Sequence, residues 1–376
     1  MDMERVVYLA PYVGDMHAPR LLALASRLAD EGATLAVAQT RRESALASYA
    51  QPRRARLLSR LDFTELDAPQ RWRSLVAAWR YLRERDPHAV LVIGYPNDAT
   101  LLGLVYAKVR RRRVVFFFNS KADDQPRSGS RERLKAVILR RFDGAVVAGE
   151  RHRTYLRSIG FHKPVELGYN AVDNEYFARR ARLVERWPGL ADPGVSGYVL
   201  CVSRLVERKR VDRAIEIFHR SGVHEKGCSL LIVGKGDREA DLRAQAAAAG
   251  IADHVRFIES IPSTVMPLYY ARARVLLLTS EYDQWGNCVN EAMACGVPAI
   301  VTERCGVANE LLVDGKGGMV ISGDEVDRPA AYLARLVADQ RYWDEVSATA
   351  RAAVRDWSPE RFADSVVAVL TELGAR

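Results

Sequence analysis

The chain reads as an α/β protein built from two successive doubly wound domains, and three observations predict this. Short apolar runs alternate with helical periodicities through the first half, the alternation loosens around Gly168–Trp187, and it begins again at Tyr198. At 376 residues the chain exceeds one ordinary core, for which roughly 150 residues is the usual scale. Alternating strands and helices give parallel sheets, because parallel neighbours need a connection long enough to run back along the sheet.

In the first half, Arg5–Ala10 reads as a buried strand, Pro11–His17 as a loop, and the stretch opened by Pro19 as a helix with Leu21, Leu22, Leu24, Ala25 and Leu28 turned inward. Gly32 ends that helix and Ala33–Gln39 returns as a strand. Further strands are predicted at Ala89–Gly94, Arg113–Phe118 and Gly144–Ala148, separated by helices around Trp72–Arg85, Asp98–Val109 and Arg131–Arg141. The second half predicts strands at Tyr198–Ser203, Ser229–Val233, Val255–Ile258, Val275–Leu278 and Ala299–Thr302. Helices are expected near Asp212–His219, Glu239–Ala249, Val265–Tyr270, Asn287–Cys295 and Ala308–Leu312. The tail from Trp357 to Leu373 is amphipathic, with Ser358 placed as an N-cap. The boundaries drawn from this are residues 1–168, with 357–376 crossing back to them, and residues 169–356.

Composition narrows the class. Apolar content of 48% with 27% charged residues is that of a globular enzyme. No apolar run approaches the roughly 20 residues needed to span a bilayer, and MDMERVVYLAP has neither a basic nor a long apolar leader region, so a cytoplasmic location is expected. The five cysteines lie without CxxC or Cys/His ligand spacing and read as reduced packing residues. Charge is uneven: residues 1–168 hold 30 Lys and Arg against 18 Asp and Glu, whereas the remainder holds 26 against 29. The basic clusters Arg41-Arg42, Arg53-Arg54, Arg56, Arg60 and Arg110–Arg113 suit a solvated face, a peripheral contact with anionic membrane, or a phosphate-bearing acceptor. Nucleic acid is not expected as a partner, since no aromatic-interleaved basic motif accompanies them, and no obligate protein partner is evident.

Ser280–Thr302 carries the most chemistry. Asp283 precedes Gly286 and a short helix, and Glu291 lies on that helix, so two carboxylates address one polyhydroxylated ligand. Gly286 lets backbone approach without a Cβ, and the first helical N–H groups near Asn287 suit an anion. Arg204 and Lys209, after the first strand of the second half, converge on a diphosphate as fork and point charge. Gly234-Lys235-Gly236 forms a further loop at the carboxyl end of a strand, where ligands of open α/β sheets lie.

Taken in order, CVSRLVERKRVDRAIEIF, LLIVGKGDREADLRAQAAAAGIADHVRFIESI, DQWGNCVNEAMACGVPAIVT and CGVANELLVDGKGGMVI resemble segments of the retaining glycosyltransferases of family 4. That family has the GT-B fold, two Rossmann-like doubly wound domains facing a central cleft. The resemblance implies sugar transfer from a UDP- or GDP-linked donor to a hydroxyl acceptor, front-face, with retention and without metal or other cofactor. It assigns Arg204 and Lys209 to the diphosphate, Asp283 to the donor sugar, and Glu291 to the ribose. Gly234, Gly236, Phe257 and Ile258 would border the nucleotide, with Gln284, Trp285, Gly286, Asn287 and Glu310 around the sugar and diphosphate. On the acceptor side it points to Gly14, Asp15, His17, Asn119 and Ser120.

Three departures from the family pattern stand out. Asp283 takes the place of a commoner Glu, Gly14-Asp15 takes the place of a Gly pair, and Asn119-Ser120-Lys121 follows the strand after which many relatives carry His. Asp123-Asp124 reads as solvent-facing, and no DxD occurs. Asn170 and Asp173 resemble the family's hinge segment. A nucleotide-sugar epimerase or a phosphorylase of the same fold, and a basic nucleic-acid-binding protein, remain the alternative readings.

Overall fold

A computed structural model describes residues 4–41, 52–94, 97–124, 129–187, 189–190, 193–195 and 197–374. Arg42 of the basic clusters lies outside them. The chain divides into two compact units, Met1–Asp173 with Trp357–Arg376, and Asn174–Asp356. The first therefore runs past Gly168, because Tyr169 stacks on Phe117 with ring centroids 5.3 Å apart and Ala171 shares the same core.

The first unit holds seven parallel strands: β1 (Arg5–Ala10), β2 (Thr34–Gln39), β3 (Asp62–Glu65), β4 (Ala89–Ile93), β5 (Arg113–Phe118), β6 (Gly144–Val147) and β7 (Val165–Leu167). Their spatial order is β3-β2-β1-β4-β5-β6-β7. The chain steps outward from β1 to β3, then crosses to β4 and steps the other way. Right-handed crossovers then put the helices before and after that reversal on opposite faces. Alternation along the strands feeds both cores: Val6 and Tyr8 pack with Leu21, Leu24 and Leu28, while Val7 and Leu9 pack with Ala78, Leu82, Leu104 and Tyr106. The terminal helix Pro359–Gly374 closes the first of these cores with Phe362, Val366, Leu370 and Leu373. Gly144 is required there, since a Cβ would lie 2.5 Å from Val369.

The second unit holds six parallel strands: β8 (Tyr198–Val202), β9 (Leu230–Val233), β10 (Val255–Ile258), β11 (Ala273–Leu278), β12 (Ala299–Thr302) and β13 (Gly318–Ile321), ordered β10-β9-β8-β11-β12-β13. The central strands are buried on both faces, which is why they read as continuous apolar runs. Both units are Rossmann-like and the fold is GT-B.

The sequence reading needs several corrections. Ala308–Leu312 is a series of turns rather than a helix, because Asn309 takes φ of 61° and its N–H bonds to Leu312 carbonyl oxygen. Strands β3, β7 and β13 were not predicted; β3 is a polar edge strand with no buried residue and β7 has only three residues. Asp124 does not face solvent, and Asp123 is only partly exposed. Asp124 is 3% exposed, and Asp123 pairs with Lys121 at 2.8 Å and Arg151 at 2.6 Å.

Candidate functional site

In the second unit, strand order reverses direction between β8 and β11, so the loops leaving their carboxyl ends diverge and open a crevice. Arg204 and Lys209 leave β8; Asp283 and Gly286 leave β11. Hydrogen bonds stitch these two loops together. Glu281 N–H donates to Arg208 carbonyl oxygen at 2.8 Å, and Thr279 hydroxyl donates to Arg210 carbonyl oxygen at 2.7 Å. Arg210 is held at φ 45°, an unusual state for a side-chain-bearing residue, in the step from the turn Glu207–Lys209 to the helix Val211–Arg220.

Lys209 Nζ and the Asp283 carboxylate form an ion pair, both side chains mostly shielded from water. Glu291 lies on the helix Asn287–Ala294, and one of its carboxylate oxygens accepts a 2.8 Å hydrogen bond from the Tyr270 hydroxyl. The Cys288 thiol, buried in the first turn of that helix, is pushed well up by desolvation, then by Glu291 and Asp283, and is pulled back by Lys209. The Cys201 thiol on β8 is likewise pushed up to about 12 by burial, opposed by Lys209. Arg204 is exposed and has no carboxylate partner among the described residues.

The predicted glycines serve distinct ends. Gly286, at φ 109°, caps the Asn287–Ala294 helix, and a Cβ there would lie 2.8 Å from Leu278. A Cβ on Gly234 would lie 1.8 Å from Ser203 carbonyl oxygen, and one on Gly236 would lie 2.1 Å from that of Leu205. Leu205 N–H donates to Lys235 carbonyl oxygen at 3.0 Å, so the Gly-Lys-Gly loop is the support on which the Arg204 loop rests. Trp285 is 1% exposed and its indole N–H donates to Asn290 Oδ1 at 2.8 Å, so its ring is a packing element. The Asn287 Oδ1 and Ser203 Oγ atoms are buried without hydrogen-bond partners. Glu310 is half-buried in the turn after Val307, and Gln284 is exposed. Phe257 and Ile258, on the edge strand β10, are partly exposed, with Arg243 4.3 Å above the Phe257 ring.

In the first unit, the loop after β1 is held by Val13, whose N–H donates to Gln39 Oε1 at 3.2 Å and whose carbonyl oxygen accepts from Arg54 at 2.5 Å, and by a turn of its own. Gly14 N–H donates to His17 Nδ1 at 3.2 Å, and Gly14 carbonyl oxygen accepts from the N–H groups of His17 and Ala18. His17 is therefore no solvated loop residue; it opens the helix His17–Asp30, and burial first, with Arg20 second, lowers its pKa to about 3. Because Nδ1 accepts, the neutral ring carries its proton on Nε2. Asp15 is 9% exposed. After β5, Asn119 Oδ1 is buried without a hydrogen-bond partner and Ser120 is half-exposed. Asp173 pairs with Arg53, and Asn170 is buried.

Sequence reasoning missed Tyr270, which orients Glu291, and Tyr282, against which Arg208 and Arg304 lie at 5.3 and 5.8 Å. Nothing in local spacing announces either. Among the described residues, no cluster of three or more His, Cys, Asp or Glu is arranged to hold a metal.

Comparison with known proteins bears on the whole chain. Residues 190–353 match the family described as glycosyl transferases group 1, and residues 19–176 match glycosyltransferase family 4. A GDP-mannose-dependent alpha-(1-6)-phosphatidylinositol monomannoside mannosyltransferase of Mycolicibacterium smegmatis is 36% identical over 45% of this chain and 46% of its own length. The chain thus spans about half the length of such curated relatives in alignment. The lipopolysaccharide core biosynthesis mannosyltransferase LpcC of Rhizobium leguminosarum is 24% identical over 82% of this chain and 85% of its own. Anabaena HepE, solved with UDP and glucose, superposes with a TM-score of 0.74 over 98% of this chain and all of its own, at 16% identity, a likeness of fold. The second half thus carries a match to the group 1 glycosyl transferases and the first half a match to glycosyltransferase family 4, and the GT-B fold is shared along the length with solved neighbours.

Proposed function

We propose that this protein transfers a sugar from a nucleotide-diphosphate donor to a hydroxyl acceptor, with retention at the anomeric carbon. The observation that carries the reading is the Lys209–Asp283 ion pair at the β8/β11 reversal, with Glu291 on the helix that follows and Arg204 exposed on the adjoining loop. A sugar nucleotide needs such a mixture: cations for the diphosphate and carboxylates for sugar and ribose hydroxyls.

In this reading the Arg204 guanidinium binds the diphosphate and balances the charge that grows on the departing nucleotide. Lys209 supports it. An ammonium has three N–H donors, so Lys209 reaches a phosphate oxygen while keeping Asp283. Held by Lys209, Asp283 accepts from sugar hydroxyls; held by Tyr270, Glu291 accepts from the ribose. The backbone N–H groups at the start of the Asn287–Ala294 helix have no partners within the helix and face the anionic donor. A front-face displacement needs no protein nucleophile: the donor phosphate oxygen takes the acceptor proton as the glycosidic bond breaks. With two cationic side chains at the diphosphate, no metal is assigned a role.

Donor identity is tested by thermal shift with UDP, GDP, ADP and TDP, since a ligand bound only by the folded chain raises its melting temperature. The mannosyltransferase relatives make GDP and then GDP-mannose the first members of the panel. NMR of the product's anomeric proton then reads retention. A chain that no nucleotide stabilises overturns the proposal. Isomerisation of the donor without acceptor, or glycan cleavage that requires phosphate, replaces it with an epimerase or a phosphorylase.

A further inference from the structure

The helices Arg71–Arg85, Asp98–Val109 and Gly129–Leu139 connect β3 to β4, β4 to β5 and β5 to β6, so all three cover one face of the first sheet. Their inner sides are spent on the core with Ala78, Leu82, Leu104 and Leu139. Their outer sides are unusually apolar. Val105 and Val109, one turn apart, are 54% and 64% exposed; Trp72 is 59% exposed, and Leu134 and Val137 are 60% and 54% exposed. Seven of the ten large apolar side chains exposed among the described residues lie on these three helices.

Charge on the same face is not neutralised. Arg71–Arg85 carries five Arg and one Glu. Arg73, Arg80, Arg131 and Arg133 are exposed and have no carboxylate partner among the described residues. The neighbouring acids are already engaged: Asp98 by Arg41 and Arg71, Asp86 by Arg112 and Arg110, Asp143 by Lys108 and Lys163. Arg73 lies 5.3 Å over the Trp72 ring, pairing a cation with an aromatic that favours the water–lipid boundary.

We propose that this face docks on an anionic lipid surface. Its apolar side chains, among them Leu101, Val105 and Val109 at successive turns of one helix, share the three helices with unpaired Arg side chains. The core of a protein interface is depleted in charge. The boundary between lipid headgroups and acyl chains instead accepts isolated apolar tips beside cations that meet the phosphates. The inference is independent of the transferase reading, and its test uses neither donor nor acceptor.

Full-length protein is floated at low salt with vesicles of phosphatidylglycerol and phosphatidylcholine in equal parts, or of phosphatidylcholine alone. Binding is expected only with the anionic lipid, and it is expected to be lost in roughly 0.5 M salt as the charges are screened. Val105→Glu with Val109→Glu, and separately Arg73→Glu with Arg131→Glu, are expected to lower binding about tenfold or more. Val313→Glu, at an exposed apolar site of the other unit, is expected to leave binding unchanged. Melting curves confirm that each variant is folded; the arginine pair, whose side chains pack little, serves where the valine pair fails to fold. Absence of binding to anionic vesicles, or equal binding by both double variants, overturns the proposal. So does lipid-free self-association that the valine variant abolishes while vesicles are ignored, which assigns the face to a second copy.

Discussion

The two units place their polar side chains differently on the same kind of sheet. In the second, the loops at the carboxyl ends of β8 and β11 are tied to one another by backbone contacts, with the Lys209–Asp283 ion pair between them. In the first, the loop after β1 is braced through Gly14 and His17 and by contacts of Val13 with Gln39 and Arg54, and five Arg against one Glu lie on the helix Arg71–Arg85. A doubly wound sheet supplies a crevice wherever its strand order reverses, but only loop chemistry makes that crevice specific. On the proposed reading, contacts between loops fit the second unit to a small anionic ligand, while the helical face of the first suits a broad one.

The largest effect that sharpens this contrast is expected at the glycines. Gly234→Ala puts a methyl group where Ser203 carbonyl oxygen lies, at φ 151°, and backbone on both sides cannot yield. A loss of about 3 kcal/mol or more is expected in urea melts, beyond the common range for a point change. Gly14→Ala, the counterpart in the first unit, meets only a Tyr12 side-chain atom at 3.4 Å and should cost less than about 1 kcal/mol. Equal losses at the two positions would erase the distinction between a glycine packed against backbone and a glycine that meets only side chains.

Arg204→Ala follows. The side chain is exposed and makes no ion pair among the described residues, so stability should hardly change. Turnover should fall roughly a hundredfold or more, the scale for losing one preorganised charge stabiliser. Unaltered turnover in a folded variant would remove Arg204 from the diphosphate site. Asp283→Asn should cost less, about tenfold in kcat/KM, since one charge-assisted hydrogen bond is worth roughly 1.5–3 kcal/mol and the amide retains part of it. A rise in donor KM would accompany the loss; a change in acceptor KM alone would move Asp283 to another role.

Much of the second unit was legible because its signals are local. The apolar runs, Gly286 before a short helix, and the Arg204–Lys209 spacing all lie within one loop or element. What stayed hidden depends on chain segments far apart. The Lys209–Asp283 pair joins residues 74 positions apart, and Tyr270 reaches Glu291 across 21. Gly234 and Gly236 read as ligand-facing because a GxG pattern gives no sign of which backbone approaches it. Trp285 lay inside the two-acid segment, yet its indole is spent on Asn290. Ala308–Leu312 has helical composition, and Asn309 breaks it by adopting a left-handed backbone that Asn tolerates. In the first unit the total charge was plain, but its gathering on one helical face required the strand order.

His17 gives an effect spread over a range of pH, small at neutrality, and reads the surroundings of the loop after β1. Burial and the neighbouring Arg20 hold its pKa near 3, against about 6.5 in an unfolded chain. Between those values the unfolded chain binds a proton that the folded His17 refuses, so stability rises with pH and is lost as pH falls from about 6.5 toward 3. His17→Asn keeps an acceptor for Gly14 N–H but cannot titrate. Its stability should therefore fall less steeply across that window, by up to about one proton, or ~1.4 kcal/mol per pH unit. Urea melts of the two proteins at pH 4, 5, 6 and 7 measure the slopes. Superimposable slopes would mean that His17 is protonated in the fold and that the loop after β1 opens to water, which would make it resemble the exposed Arg204 loop of the second unit.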